Sequence, residues 1–366
     1  MEELFYQIAL TQAKGIGHQS ARALISRFGS AKAIFEASKE ELLTVDMLGE
    51  KRLQALQQGV DTSAVEREMA FLQKHQIQPL FINHPHYPPL LKECPDAPVL
   101  LYFKGKADLL RKKALAIVGT RNHTDYGRQM VEELIRGFRG RKDIVVVSGL
   151  AFGIDTIAHR AALHNGLATV GVLGHGLDRI YPHQNTKMAE EMLQQGGLLT
   201  EYPSGTTPDR QHFPQRNRIV AGMSDVVVVA ETGIKGGSMI TAKLACSYNR
   251  EVTAFPGRTV DSRSSGCNYL IKTNIAHLIT GAEDLIMLMN WQPEKAQQQA
   301  VQQKLFATLT PEEKKIADAL TRDKETHIDE LAIKTGMADS RMAAILLSLE
   351  LEGVVRSLPG KRYRLS

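Results

Sequence analysis

The centre of this 366-residue chain is predicted to be an α/β fold, a parallel sheet covered on both faces by helices. Two observations carry that expectation. From about Lys106, seven apolar runs alternate with amphipathic stretches: ALAIVGT, DIVVVSG, LATVGVLG, GLLTE, DVVVVAE, EVTAFPG and AHLIT. Unbroken Val, Ile and Leu runs mark strands buried on both faces, and the helical stretches supply the crossovers between them. The residues after the runs are small or cationic. In such a sheet ligands meet the carboxyl ends of the strands, so the chemistry is expected there.

The segments flanking the sheet are helical. Residues 1–78 are expected to form a small helical domain, because KGIGHQS and RFGS break short amphipathic stretches. In KGIGHQSARALISRFGS a Gly-Ile-Gly turn opens a helix with Ala21, Leu24, Ile25 and Phe28 on one face. That is the form of a helix-hairpin-helix unit, whose turn can offer the N–H groups of Gly15 and Gly17 to a phosphate; a plain tight turn reads equally well. VDMLGEKRLQAL resembles a degenerate second copy. Residues 79–290 are read as a proline-rich connector, NHPHYPPLLKECPDAPVLLYFKG, followed by the sheet domain. Residues 291–305 form a glutamine-rich linker, and 306–366 a C-terminal domain of three helices and a hairpin.

Composition excludes several classes. With 43% hydrophobic residues the chain can bury a sizeable core, and a formal net charge of +5 permits nucleic acid as a partner without requiring it. Cys94, Cys246 and Cys267 are odd in number and form no CxxC pair, so neither a disulfide framework nor a zinc site is expected. His84 and His86 have no third ligand nearby, and no metal or cofactor is expected. The N-terminus MEELFYQIAL is acidic where a leader needs basic residues, and no apolar run reaches the length of a membrane span; a cytoplasmic protein that avoids membranes is expected.

Arg121 stands in GTRN after the first run, and Ser148, Gly149 and Gly153 in SGLAFGID after the second. GHGLDRIYP follows the third, EYPSGTTPDRQHFPQRNR the fourth, ETGIKGGSMITA the fifth and PGR the sixth. Small residues let a ligand approach the backbone, helix starts supply N–H donors and arginines supply charged forks, so this edge suits phosphates. It does not suit a nicotinamide dinucleotide or a P-loop nucleotide, since neither GxGxxG nor GxxxxGK[ST] is present. Each glycine alone reads as a turn residue; four motifs on one edge favour a site. In FPQRNRIVAGM a helix opening near Pro214 turns Ile219, Gly222 and Met223 inward. Arg216 and Arg218 lie about 200° apart on it, so one faces the cleft and the other braces the helix or a neighbouring loop. Asn217 serves the preceding loop or the ligand.

GTR, SGLAFGIDTIAH, VGVLGHGLDRIYPHQN, TEYPSGTTPDRQHFPQRNRIVAGMSD, GGSMITAKLA and FPG together resemble the DNA-processing protein A family, also called DprA or Smf, over about residues 85–282. The resemblance implies an extended Rossmann-like domain that binds single-stranded DNA, forms a homodimer and loads the RecA recombinase onto incoming strands in natural transformation. Carried over by motif, Arg121, Ser148, Gly149, Gly153, Phe213, Arg216, Asn217, Arg218, Gly236, Gly237, Ser238 and Thr241 line the DNA pocket. Lys235 joins them in ETGIKGGS, a longer loop than the family's SGS form. Tyr202, His212 and Phe213 offer faces for bases.

The stretch HIDELAIKTGMADSRMAAILLSLELEGVV has the spacing of a winged helix, with Arg341 on its third helix and RSLPGKRYR as the wing. A partner or dimer contact fits it better than duplex reading, because LLSLELEG is apolar and acidic. The alternative to a binding protein is an enzyme related to nucleotide phosphoribohydrolases, with Glu231 or Glu201 as base. Asp155 and His159, at i and i+4, read as an acid–base pair or as a helix brace. No catalytic residue is expected.

Overall fold

Apolar runs long enough to be buried on both faces become the middle of one large sheet, and proline-interrupted ones become its edge. In the computed structural model, residues 2–45, 48–57, 60–110, 113–292, 309–320, 325–351, 354–358 and 361–365 are described. The glutamine-rich linker falls largely outside them. The chain divides into two compact units, Met1–Met289 and Asn290–Ser366.

In the first unit, β1 (Gln78–Phe81) lies just before the stretch read as a connector, and β2 (Leu100–Gly105) is the end of that stretch. That reading is corrected: the end of the proline-rich segment is the strand β2, which pairs antiparallel with β1, and Pro79 lies on the outermost strand, where a missing N–H costs no ladder bond. The seven runs become β3 (Lys113–Val118), β4 (Ile144–Ser148), β5 (Ala168–Leu173), β6 (Gly197–Thr200), β7 (Val226–Val229), β8 (Glu251–Ala254) and β9 (His277–Leu278). The sheet order is β1-β2-β6-β5-β4-β3-β7-β8-β9, and every pair from β6 to β9 is parallel. Every residue of β4, β5, β6 and β7 is buried, as double-sided coverage requires. β3 pairs with β4 on one side and β7 on the other; the chain continues from β3 to β4, β5 and β6 on one side and from β7 to β8 and β9 on the other, so the connections leaving β3 and β7 diverge. Ligands enter an open parallel sheet at that divergence.

Among the described residues six helices precede the sheet, from Glu2–Gln12 to Thr62–Lys74. Gly15 takes a positive φ in the Gly-Ile-Gly turn, and the helix His18–Phe28 buries Ala21, Leu24 and Ile25, the face expected from its spacing. These helices are pinned to the sheet domain by polar contacts. Glu68, buried on the last of them, accepts hydrogen bonds from the N–H and hydroxyl of Ser204 in the loop after β6. Arg22 donates to the carbonyls of Lys92 and Cys94.

The second unit holds the helices Pro311–Ala319, Ile328–Thr335 and Asp339–Leu351 with a small antiparallel sheet: β10 (Thr326–His327), β11 (Val355–Leu358) and β12 (Arg362–Leu365), ordered β10-β12-β11. Ile316, Leu331, Met342, Leu346 and Val355 form its core. Arg341 is bound to Glu312 at 2.8 Å, while Ile333, Leu347 and Leu351 are exposed. No helix among the described residues is long and apolar enough to cross a membrane.

His159 gives the first unit a pH dependence. Its ring is fully buried behind β5, with Nδ1 2.7 Å from the Thr169 hydroxyl. Burial, assisted by the positive charge of Arg216, pulls it down to about 3 from its ordinary 6.5. Unfolded, the same ring titrates near its ordinary value, so below about pH 6.5 the unfolded chain binds more protons and stability falls as pH drops toward 3. Urea midpoints across that window are expected to decline less steeply in His159→Gln, an amide that keeps a polar partner for Thr169 but does not titrate. Parallel declines in the two proteins would remove His159 from the account.

Candidate nucleic-acid interface

Beyond the carboxyl ends of β3, β4 and β7 lies a cleft of about 760 Å³. One wall comes from the loop after β3. Gly153, at φ +81°, makes the turn before the helix Ile154–His164, and a Cβ there would lie 2.3 Å from the carbonyl oxygen of Thr120. Ile154 N–H donates to the same carbonyl at 3.2 Å. The close approach holds the Thr120–Arg121 backbone against the helix start and leaves the Arg121 side chain exposed. Its guanidinium lies over the Phe213 ring, 5.4 Å from the centroid. Tyr181, itself exposed, packs beside Phe213 with ring centroids 5.8 Å apart. A cation and two aromatic rings thus stand together at the mouth of the cleft.

The opposite wall is the start of the helix Gly237–Ser247. Gly236 caps it without a side-chain hydrogen bond, so the first N–H groups have no partner within the helix. Ser238 lies in that first turn, and its Oγ is buried without a hydrogen-bond partner among the described residues. Thr241 lines the cleft one turn further on. An anion set between this turn and Arg121 would meet N–H groups, a hydroxyl and a guanidinium, the combination that holds phosphates.

The floor is the helix His212–Gly222. Its two arginines diverge, as their spacing requires. Arg216 lines the cleft but is 4% exposed, and its guanidinium donates to the carbonyls of Gly149 and Val172 and, through Nε, to Asn217 at 3.2 Å. Burial pulls its pKa down from the ordinary value, and the charge of nearby Asp155 opposes that. Arg218 points the other way. It donates to Glu201 and lies 2.8 Å from the His18 ring nitrogen, which is itself 3.0 Å from Glu201. Burial alone would raise the Glu201 carboxyl; His18 and Arg218 more than reverse this and leave it below its ordinary value.

The structure therefore brings Arg121, Phe213, Arg216, Asn217, Gly236, Gly237, Ser238 and Thr241 to one cleft. Five other expected residues do not line it. Ser148 is fully buried and donates its hydroxyl to Ile117 at 2.7 Å. At Gly149 a Cβ would run into the Arg216 guanidinium, so this glycine makes room for an arginine and not for a ligand. Gly153 shapes the Arg121 loop, Arg218 braces the helix, and Lys235 is exposed outside the cleft. Tyr202 and His212 stack on each other with centroids 4.4 Å apart, which occupies one face of each ring. Thr120, Tyr181, Arg210 and Thr232 line the cleft without having been singled out. For Arg210 the signal was present, a cation in the long loop TTPDRQHF.

The carboxylates considered as bases are engaged elsewhere. Glu231 is 2% exposed, and its two oxygens accept from the N–H and the hydroxyl of Thr124, both at 2.8 Å. Asp155 accepts from the Gly149 N–H at 3.1 Å, and burial pushes its carboxyl up despite Arg216. Asp155 and His159 thus brace different neighbours.

A family model for DNA recombination-mediator protein A matches residues 78–290. The chain belongs to that family. Two further models match outside it: a SAM-like helix-hairpin-helix tandem over residues 8–60 and a DprA winged helix domain over 296–361. The fold is accordingly mixed α/β, a large mostly parallel sheet with a helix-hairpin-helix domain before it and a winged helix domain after it. Protein Smf of Synechocystis sp. is 33% identical over 398 residues, which covers 99% of this chain and 98% of that protein. The X-ray structure of DNA processing protein A (DprA) from Streptococcus pneumoniae superposes with a TM-score of 0.69 and 34% identity, covering 77% of this chain and 97% of that one. DNA processing protein A from Helicobacter pylori, whose structure was described for its single-stranded DNA binding mode, gives a TM-score of 0.53 and 33% identity over 58% of this chain and 95% of that one. Membership in the DprA family thus rests on matches that include the cleft.

Proposed function

We propose that this DprA-family chain is a cytoplasmic, homodimeric single-stranded DNA-binding protein that loads the RecA recombinase onto strands entering in natural transformation, and that the cleft at β3, β4 and β7 is its DNA site. The observation that carries the reading is Arg121 over Phe213, facing the uncapped helix start at Gly236–Ser238. A phosphate fits between the guanidinium and the N–H groups, while Phe213 and Tyr181 give an unpaired base a face to stack on. Duplex DNA hides its base faces, so stacking at the mouth favours single strands. Arg216 acts from beneath, its buried charge raising the potential of the floor while its hydrogen bonds hold Gly149 and Val172 in place.

Nothing in this mechanism cleaves a bond. Glu231 and Glu201, the carboxylates that a hydrolase would need, hold Thr124 and the Arg218–His18 pair. The test is a competition titration of a labelled single strand with unlabelled single strand, duplex and nucleoside monophosphate, run beside a product assay. Single strand is expected to displace the label at far lower concentration than the others, Glu231→Gln to bind almost normally, and no product to form. Steady product release abolished by Glu231→Gln would put the hydrolase first, and equal displacement by mononucleotide would remove the strand reading.

A further inference from the structure

Beside the cleft lies a second cavity, of about 490 Å³, lined by Tyr126, Pro256, Gly257, Arg258, Asp261 and Ser264. It sits one strand further along the same edge, beyond the end of β8. The two cavities share a wall. Thr232 and Gly233, which line the cleft on one side, pack on the other against the 262–266 turn: Gly266 N–H donates to the Thr232 carbonyl at 2.8 Å, and a Cβ at Gly233 would touch the Ser262 carbonyl oxygen at 3.4 Å. Tyr126 follows Arg121 by five residues on the loop and helix that leave β3.

We propose that this cavity is a second nucleotide subsite, which takes the base and phosphate of the DNA strand next beyond those held in the cleft; the inference rests on the strand-binding reading of the cleft. Three features select this occupant. The Tyr126 ring is 40% exposed, and its hydroxyl donates to the Pro256 carbonyl at 2.5 Å, so an aromatic face is held at the cavity in a fixed direction. Arg258 is exposed at the same cavity, and none of the ion pairs among the described residues involves it. Asp261, the one acid in the lining, is occupied within its turn, accepting from the Arg263 N–H at 2.9 Å and the Ser264 hydroxyl at 3.3 Å. An aromatic face beside an arginine repeats the Phe213–Arg121 pairing of the cleft. Adjacent strands in a sheet are about 4.8 Å apart, so one strand along the edge is a distance that a single extended nucleotide spans.

The experiment titrates the full chain with oligothymidylates of increasing length, comparing wild type, Tyr126→Ala/Arg258→Ala, Tyr126→Phe and Arg121→Ala. In the wild type, affinity is expected to rise with length until both cavities are covered. The double variant is expected to bind the shortest oligomers like wild type and to lose the last increment, about tenfold, on the longer ones, with Tyr126→Phe keeping most of it because the ring remains. Arg121→Ala should weaken all lengths alike. The subsite is overturned if the double variant binds every length normally, if it loses the same factor at every length, or if its sedimentation shifts while its strand affinity stays unchanged, which would make this face a contact with a second copy of the chain. If Arg121→Ala leaves the shortest oligomers unaffected, the cleft reading itself fails, whatever the double variant does.

Discussion

Replacing Arg218 by alanine is expected to destabilise the first unit by about 3–5 kcal/mol, the range for breaking a buried ion pair by removing one partner. In a unit of this size that is a fall of roughly 5–15 °C in Tm. The side chains of Arg218 and Glu201 are 9% and 5% exposed, so alanine leaves the Glu201 carboxylate buried with only His18 beside it. Glu201→Gln is expected to cost less, because the amide can still accept from Arg218. Combining the two changes should cost less than their sum, since both remove one interaction. Thermal melts of the three variants check this, and a Tm for Arg218→Ala within a degree or two of wild type would mean that the contact contributes nothing. Single-strand affinity at temperatures where the variant is folded should hold within a small factor, because Arg218 faces away from the cleft.

That contact also marks where sequence reading stops. The helical spacing of Arg216 and Arg218 was enough to say that they point apart, since the geometry is local. Which of them braced the helix depended on His18, 200 residues away, and no pattern in the chain joins those positions. The parallel strands β3 to β8 were legible because burial writes each as a short apolar run, whereas the two residues of β9 are exposed at the edge. β1 and β2 were not, because Pro79, Pro88, Pro89, Pro95 and Pro98 give that stretch the composition of a linker, although an edge strand tolerates proline. The same limit applies at the cleft. Glycine and serine at strand ends were read together as ligand-facing, yet Gly149 makes room for Arg216 and Ser148 closes onto a neighbouring strand. A small residue beside a cleft and one beneath it look alike in sequence; only the packing separates them.

A sheet domain cut at Lys106 would therefore lose β1 and β2 and bare the β6 edge, so the compact unit Met1–Met289 is the shorter piece suited to binding tests. The second large effect is expected at Arg121, and charge counting distinguishes it from a fold defect. Each phosphate neutralised on a single strand contributes about 0.7 to the slope of log affinity against log salt. Arg121→Ala removes an exposed guanidinium that joins no ion pair among the described residues, so the Tm should hardly move, while affinity falls across all sequences and the slope flattens by about 0.7. Arg216→Ala should behave differently: two carbonyls and Asn217 lose their donor together with the buried charge, so Tm and affinity fall together. Arg218→Ala should lower Tm and leave the slope unchanged. A salt series on the three single variants, with melting measured beside it, separates these outcomes. An unchanged slope in Arg121→Ala would mean that the guanidinium over Phe213 serves the loop and that the strand's phosphates are held elsewhere.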